Sequence, residues 1–335
     1  MRAATIRDNE IVIEEHPDPE PGKGEVLVRV HAAGLNGGDM MQRRGLYPAP
    51  PDSPQDIPGM ELAGEIVARG PVAERFELGA RVMAIVGGGA QAELCVVRER
   101  ELMPVPDALD WVAAGGVPEV FATAHDALIT QGELRPGEHL LVHGGAGGVG
   151  TAAIQLGHAA GARVTATVRD ESLRGEVAEL GADAIACDGF AEHGPFDVIL
   201  ELVGAPNMPD NLNALATGGR IAVIGVSAGV TSEINLLALM GKRGRIHGST
   251  LRARPLEQKA LVARLVEHEV LPLFDTGALR VPRMRAMVAL IVVRSSSKPP
   301  WLVASAASSE PSGLPEVGDC TWPRRPSRIS LRRVS

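Results

Sequence analysis

Apolar and polar positions alternate along several short stretches in the first third of the chain. Val26–His31 follows this pattern, and the comparable runs Gly64–Ala68 and Arg81–Val86 are set apart by turn glycines and prolines. A period of two residues is typical of strands with one buried face. We therefore predict a small β-rich domain that extends to about residue 122.

The middle of the chain carries apolar runs that do not alternate with polar residues. The predicted strands are Leu140–Val142, Arg163–Val168, Ala184–Ala186, Phe196–Leu202 and Arg220–Val226. Continuous apolar strands suit a parallel sheet that is covered on both faces. Helical segments such as Ser172–Leu180 separate the strands, so the pattern predicts a doubly wound α/β fold.

A run of glycines joins the first of these strands to a helical segment. Gly145, Gly147 and Gly150 fit the G-x-G-x-x-G pattern in the strand-to-helix context that it requires. Glycines permit a tight turn and let backbone N–H groups approach a pyrophosphate at the positive end of the helix. The alternative is a glycine-rich turn of another α/β protein. The predicted cofactor contacts are Gly145, Ala146, Gly147, Gly148, Val149 and Gly150. His143, which precedes the run, is interpreted as a packed histidine.

Composition narrows the function classes. The chain has 335 residues, enough for two domains, and a formal net charge of −8, which argues against a nucleic-acid partner. Its three cysteines, Cys95, Cys187 and Cys320, are too widely spaced for a disulfide framework or a metal site. No apolar run reaches the roughly 20 residues of a membrane helix. We expect a soluble, cytoplasmic protein that does not associate with membranes.

Seven short segments occur in an order and spacing that one enzyme family shares. They are Ala32–Asp39, Arg44–Pro48, Pro58–Gly64, Gly89–Glu93, Phe121–Ala124, Leu141–Gly150 and Leu180–Asp183. With them the chain resembles the zinc-independent, zeta-crystallin-like quinone oxidoreductases of the medium-chain dehydrogenase/reductase superfamily. The resemblance covers about residues 1–280.

The resemblance implies a fold and a domain plan. The fold would be α/β, with a GroES-like β-rich catalytic domain and a doubly wound Rossmann nucleotide-binding domain. The catalytic domain would span residues 1–122, the Rossmann domain residues 123–258, and an incomplete return to the catalytic domain residues 259–294. The family often forms homodimers by joining Rossmann sheets edge to edge, and Arg245–Ser249 is a candidate edge strand for such a dimer.

The resemblance also implies that the nicotinamide lies near Asn36, Tyr47 and Thr123. The Asn36 amide can donate a hydrogen bond, and Tyr47 can donate through its phenol or stack on a flat substrate. Each residue has a structural alternative: a turn residue for Asn36, packing for Tyr47, and a cap or core residue for Thr123. Asp39 is interpreted as a turn or helix cap rather than a base.

Two substitutions relative to zinc alcohol dehydrogenases bear on the chemistry. Those enzymes carry a Cys and a His where this chain has Asn36 and Met60, and an amide and a thioether are poor zinc ligands. We therefore expect no metal. A quinone is already electrophilic, so hydride delivery would need mainly proximity and orientation, and we expect no essential general acid.

The choice of dinucleotide depends on the end of the second strand of the nucleotide domain. Arg169 is placed to pair with a 2′-phosphate, which favours NADP(H), whereas the adjacent Asp170 would favour NAD by binding the ribose diol. Further positions match family segments that border the cofactor, namely Val203, Gly204, Gly225, Val226 and Arg252. The alternative for Arg252 and Arg254 is a surface position.

The C-terminus departs from the family after Pro282. The run Ser295–Pro300 breaks any helix, and the sequence from Ser295 to Ser335 shows no periodicity. We expect residues 295–335 to be an aberrant, disordered tail. The alternative is a functional basic tail.

The predicted function is NADPH-dependent reduction of a quinone by metal-free hydride transfer. One alternative is an alkenal or enone reductase of the same fold, because the shape of the pocket selects the acceptor. The other alternative is a dinucleotide-binding protein that the aberrant C-terminus has made catalytically inactive.

Overall fold

Antiparallel strands make up most of the N-terminal region of the computed structural model, which describes residues 1–282, 289–292 and 302–305. The strands are β1 (Arg2–Arg7), β2 (Glu10–Glu15), β3 (Glu25–Gly34), β4 (Glu61–Arg69), β5 (Arg81–Ile85), β6 (Leu94–Arg98) and β7 (Leu102–Pro104). Strands β1 and β2 form a hairpin, and β3, β4, β5 and β7 are neighbours in one sheet, with β6 also paired to β3. Helix α1 (Gly37–Arg43) connects β3 to the segment before β4.

The predicted alternation accounts for the packing of this sheet. Val26, Val28 and Val30 of β3 are buried, whereas Arg29 between them is exposed. The three valines pack with residues of β4 and β5 in one core cluster. The β-rich N-terminal region is therefore confirmed.

Short helices lead from the first sheet to the second. Helix α2 (Trp111–Ala114) precedes α3 (Pro118–His125), which continues as a π-helical segment, Asp126–Gln131. Thr123, Ala127 and Thr130 stand at helical spacing in the sequence, and the helix that contains them begins earlier, at Pro118. The predicted domain boundary between residues 122 and 123 falls inside α3, and the boundary stays a proposal.

The second sheet has six parallel strands in the order β10-β9-β8-β11-β12-β13. The strands are β8 (His139–Val142), β9 (Arg163–Thr167), β10 (Asp183–Ile185), β11 (Phe196–Glu201), β12 (Leu215–Val223) and β13 (Arg245–Gly248). The helices are α4 (Gly148–Ala159), α5 (Arg174–Ala178), α6 (Met208–Ala214) and α7 (Leu236–Lys242). Central residues such as Leu141, Ile199 and Ile221 are fully buried, as expected of a sheet covered on both faces. The predicted α/β fold is confirmed.

The chain then returns to the first sheet. Helix α8 (Leu256–Glu269) packs against β7 and α3, and α9 (Leu271–Asp275) follows it. Strand β14 (Ala289–Val292) pairs antiparallel with residues 32–34 of β3. In the part of the chain that the structure describes, no helix combines the length and apolarity needed to cross a bilayer.

One segment of the predicted disordered tail has regular structure, which corrects that prediction. Strand β15 (Leu302–Ser305) pairs antiparallel with β14. The short apolar run Leu302-Val303-Ala304 supplies three of the four residues of this strand, a length within the usual range for strands. The rest of the predicted tail lies outside the described residues.

Candidate active site

The glycine run forms the turn between β8 and α4, at the carboxyl edge of the parallel sheet. The Gly145 N–H donates to the carbonyl oxygen of Thr167, at the end of β9, over 2.9 Å. A Cβ atom on Gly150 would lie 2.3 Å from the oxygen of Gly144, so only glycine lets helix and turn approach this closely. The first turn of a 12-residue helix thus borders the sheet edge, where a pyrophosphate can bind its N–H groups.

A buried carboxylate shapes the neighbouring turn. Glu201, at the end of β11, accepts hydrogen bonds from the backbone N–H groups of Val203 at 2.6 Å and Gly204 at 2.7 Å. It also accepts one from the Asn211 side chain, whose oxygen lies 2.7 Å from Nε2 of His143. His143 is buried, and burial lowers its pKa, which agrees with the packing role predicted for it.

The turn after β12 joins the same sheet edge. The Gly225 N–H donates to the backbone oxygen of Glu201 over 3.0 Å, and a Cβ on Gly225 would lie 2.3 Å from the oxygen of Leu202. Val226 follows and is 43% exposed. The predicted cofactor positions at residues 145–150, 203–204 and 225–226 therefore border one edge of one sheet, and their contacts with a cofactor stay a prediction.

Two charged residues follow β9, and their side chains have different surroundings. Arg169 is exposed. The Asp170 carboxylate instead accepts from the backbone N–H of Ser172 at 3.0 Å and from its hydroxyl at 2.7 Å, and these bonds lower the pKa of Asp170. Asp170 thus caps the short 3₁₀ helix Glu171–Leu173. Both of these hydrogen bonds go to Oδ1 of Asp170, the residue that would favour NAD.

A cleft lies where the two sheets meet. Its lining residues are Tyr47, Met60, Ile85, Glu119, Thr123, Asp126, Ile224, Ser249, Thr250, Leu251 and Arg252. Ile224 directly follows β12 of the parallel sheet, whereas Tyr47 and Met60 belong to the N-terminal region. The structure therefore brings two of the three predicted catalytic residues, Tyr47 and Thr123, to one cleft beside the sheet edge.

Two carboxyl groups lie at and beneath the wall of this cleft. Glu119 is half-buried at the start of α3, and its Oε1 accepts a hydrogen bond from the Thr123 hydroxyl at 3.2 Å. Glu61 is buried beneath it on β4 and accepts from the Glu119 backbone N–H at 2.9 Å. Burial raises the pKa of Glu119 to about 7. Burial, together with the charge of Glu119, raises the pKa of Glu61 to about 8.

The predicted catalytic residue Asn36 is tied to this pair. Its side-chain nitrogen donates a hydrogen bond to Oε1 of Glu61 over 2.9 Å. One amide N–H is therefore engaged by a carboxyl group and does not point toward a bound substrate. Asp39 accepts from the backbone N–H groups of Asn36 and Gly59, each at 2.9 Å. This agrees with the capping role expected of Asp39. No group of three or more His, Cys, Asp or Glu within the described residues could hold a metal ion.

Arg252 lies in the cleft and is 4% exposed, so the alternative of a surface position is wrong. Its guanidinium donates to the backbone oxygens of Gly87 at 2.8 Å and Tyr47 at 3.1 Å, and to the Gln42 side chain at 2.5 Å. It also lies over the Tyr47 ring, 5.0 Å from the centroid. These contacts place Arg252 beside the N-terminal region, and its predicted contact with a cofactor phosphate stays a prediction.

The sequence analysis assigns no catalytic role to three charged residues at or beneath the cleft. Glu119 and Glu61 form the carboxyl pair, and Asp126 binds Arg254 in a salt bridge of 2.6 Å. A signal for Glu119 exists in the sequence, because Glu119 and Thr123 are four residues apart and so share one face of a helix. No comparable signal exists for Asp126 and Arg254, which are 128 positions apart.

Comparisons with known proteins agree with this architecture. Residues 22–107 match the family model "Alcohol dehydrogenase GroES-like domain", and residues 148–267 match "Zinc-binding dehydrogenase". The chain is similar to the quinone oxidoreductase of Homo sapiens, with 32% identity over 252 residues that cover 72% of this chain and 75% of the human protein.

Solved structures show the same likeness. An alcohol dehydrogenase superfamily protein from Novosphingobium aromaticivorans superposes with a TM-score of 0.74 at 30% identity, covering 83% of this chain and 88% of that one. A quinone oxidoreductase from Pseudomonas syringae pv. Tomato DC3000 superposes with a TM-score of 0.72 at 27% identity, covering 83% and 89%.

Proposed function

Because the chain belongs to the quinone oxidoreductase family of the medium-chain dehydrogenase/reductase superfamily, we propose that it reduces quinones with NADPH by hydride transfer, without a metal ion. The observation that carries the proposal is the cleft. It combines Ile224, at the edge of the parallel sheet that carries the glycine turn, with Tyr47, Glu119 and Thr123. A dinucleotide held at that edge would direct its nicotinamide toward these side chains.

Different residues of the chain would bind the cofactor and orient the acceptor. Bound NADPH would supply the hydride and its two electrons. The turn at Gly145–Gly150 would hold the pyrophosphate, and Val203, Gly204, Gly225 and Val226 would border the rest of the cofactor. The Tyr47 ring, fixed below Arg252, offers a flat surface for an aromatic acceptor. Orientation of this kind can supply much of the rate for an acceptor that is already electrophilic.

The donor set of the cleft does not fit a catalytic zinc ion. Asn36 donates to Glu61, and Met60, which lines the cleft, offers only a thioether sulfur. Zinc in proteins is bound by thiolate, imidazole and carboxylate ligands. We therefore include metal-free chemistry in the proposal and assign no step to a metal.

The preference for NADPH rests on the pair that follows β9. The Asp170 carboxylate caps its own 3₁₀ helix, and the exposed Arg169 is available to a 2′-phosphate. A guanidinium is always charged and binds phosphate oxygens in pairs, whereas NADH offers it only a neutral diol. We therefore propose NADP(H) as the cofactor.

We also propose a homodimer in the cytoplasm. Leu236, Leu237 and Met240 of α7 are each more than two-thirds exposed, and α7 directly precedes β13 at the edge of the parallel sheet. A second copy that paired along β13 would cover this apolar face. The free thiols of Cys95 and Cys187 suit a reducing compartment. Light scattering coupled to size exclusion tests the dimer, and a monomer at micromolar concentration would contradict it.

The proposed activity is tested by NADPH oxidation with 1,4-naphthoquinone, run beside NADH and beside chelator-treated protein, each with an enzyme-free blank. We expect turnover that prefers NADPH and does not respond to the chelator. Turnover of 2-cyclohexen-1-one but not of the quinone would overturn the proposal in favour of the enone reductase. Tight binding of NADPH with no oxidation by either acceptor would overturn it in favour of an inactive nucleotide-binding protein.

A further inference from the structure

Glu119 is a half-buried residue whose carboxyl group has no role in the hydride transfer described so far. Its side chain lines the cleft, and its Oε1 accepts from the hydroxyl of Thr123, one helical turn later. Its own backbone N–H donates to Glu61. The Thr123 hydroxyl thus holds the carboxyl group, the bond to Glu61 holds the backbone of the same residue, and the side chain borders the space in which the acceptor would bind.

The charged and titratable groups around Glu119 do not stabilise its ionised form. The titratable groups that line the cleft with Glu119 or act on the carboxyl pair are Glu61, Asp39, Tyr47, Asp126 and Arg252. Glu61 and Asp39 are acidic and lie beneath it, and Asp126 is paired with Arg254. The Arg252 guanidinium is occupied by Gly87, Tyr47 and Gln42. Because burial outweighs the Thr123 hydrogen bond, the pKa of Glu119 rises to about 7 and much of the group is neutral near that pH.

We propose that the Glu119 carboxyl group is the general acid of this site and protonates the oxygen of the acceptor as hydride arrives. This inference rests on the proposed function. It also differs from the expectation, drawn from the sequence, that no general acid is essential.

The step balances in atoms and electrons. A C–H bond of the nicotinamide would break, and its hydride, with two electrons, would form an O–H bond at one oxygen of the quinone, which is thereby reduced and left with a phenolate at the other oxygen, while the cofactor leaves as NADP⁺. The resulting phenolate-type oxygen takes the proton of Glu119, so that the O–H bond of the carboxyl breaks and the O–H bond of the hydroquinone forms. Glu119 is left as a carboxylate and regains a proton from water at the mouth of the cleft. A phenol has a pKa of about 10, so the transfer from a group near 7 is downhill.

The test compares wild type with Glu119→Gln on two acceptors. 1,4-Naphthoquinone gives a basic hydroquinone anion, which needs the proton, whereas tetrachloro-1,4-benzoquinone gives a weakly basic anion, which needs it much less. A general acid contributes on the order of 100-fold or more, so we expect a loss of about that size in kcat/KM with naphthoquinone and of only a few-fold with the chlorinated quinone. An unchanged affinity for NADPH shows that the variant folds.

The pH profile adds a readout that a structural role would not move. In wild type, kcat/KM for naphthoquinone falls as pH rises above about 7, and Glu119→Gln loses this fall. Thr123→Val removes the hydrogen bond that favours the carboxylate, so it moves the fall to higher pH. Equal losses with both acceptors, or an unchanged pH profile in Glu119→Gln, overturn the inference alone. Wild type that reduces neither quinone contradicts the proposed function and the inference with it.

Discussion

The glycine turn and the cleft both belong to the proposed active site, but the turn depends on the absence of side chains and the cleft on the burial of side chains. The turn between β8 and α4 owes its shape to missing side chains, since a Cβ on Gly150 would collide with the backbone of Gly144. The cleft owes its chemistry to side chains that distant elements bury, as β4 and α3 do for Glu61 and Glu119. A site formed by the backbone of one turn can be recognised in a short stretch of sequence. A site formed by side chains that distant elements bury can be recognised only in the folded structure.

The largest expected effect on cofactor binding comes from adding one methyl group to the turn. In Gly150→Ala the new Cβ must displace the oxygen of Gly144, at a cost of about 1–3 kcal/mol, so NADPH binding weakens by about tenfold to a hundredfold. Gly175→Ala is the matched control, because it also lies in a helix and its Cβ would meet nothing within 4 Å. Fluorescence titration with NADPH measures both. Equal affinities in the two variants would contradict the account of the turn.

A smaller effect is expected at the end of β9. Arg169→Ala removes a charge-assisted bond to the 2′-phosphate, and because the site is exposed we expect the lower end of its range, about a tenfold rise in KM for NADPH. KM for NADH should stay the same, since NADH has no 2′-phosphate. Arg163→Ala is the control, because Arg163 begins β9, at the end of the strand away from Arg169, and lies near Asp183. An equal rise in KM for NADPH and NADH would contradict the proposal that Arg169 binds the 2′-phosphate.

Two substitutions of Tyr47 distinguish the contribution of its aromatic ring from that of its hydroxyl group. Tyr47→Phe keeps the ring beneath Arg252, so kcat/KM with naphthoquinone should change by less than about twofold. Tyr47→Ala removes the surface on which the acceptor stacks and should cost about fivefold, or about 1 kcal/mol. Steady-state kinetics on both variants decides the point. A large loss in Tyr47→Phe would instead make the phenol a hydrogen-bond donor to the acceptor.

The buried carboxyl groups of the cleft also make the free energy of unfolding depend on pH, which the glycine turn does not do. Burial raises the pKa of Glu61 from its ordinary value to about 8, so the folded protein keeps a proton that the unfolded chain releases. The free energy of unfolding therefore falls as pH rises from about 4.5 to about 8. Glu61→Gln should flatten this slope in thermal unfolding of the full chain, whereas Glu65→Gln, on the same strand but more exposed, should not. Identical slopes in the three proteins would contradict the burial of an ionisable Glu61.

Particular residues show what the sequence could and could not predict. The alternation at Val26, Val28 and Val30 and the apolar run of Leu140–Val142 mark their strands, because local pattern follows burial of one face or two. Strand β15 escaped notice because four residues carry little pattern of their own and depend on β14 for pairing.

The candidate site divides in the same way. Gly145, Gly147 and Gly150 were predictable, because their spacing is set by one continuous turn. The spacing of four residues between Glu119 and Thr123 was also visible, but the raised pKa of Glu119 was not, because it depends on burial beside Glu61, 58 positions away along the chain. The cleft position of Arg252 was equally hidden, because its partners at Gln42 and Gly87 are 210 and 165 positions away.

The central claim is that hydride passes directly from NADPH, held at the glycine turn, to a quinone in the cleft. A single-turnover experiment tests it by rapid mixing of NADPH-loaded protein with 1,4-naphthoquinone while NADPH absorbance is followed. The account predicts that the bound NADPH is consumed in one phase, and that this phase slows when deuterium occupies the transferred position of the nicotinamide. Bound NADPH that persists after quinone is added would contradict it.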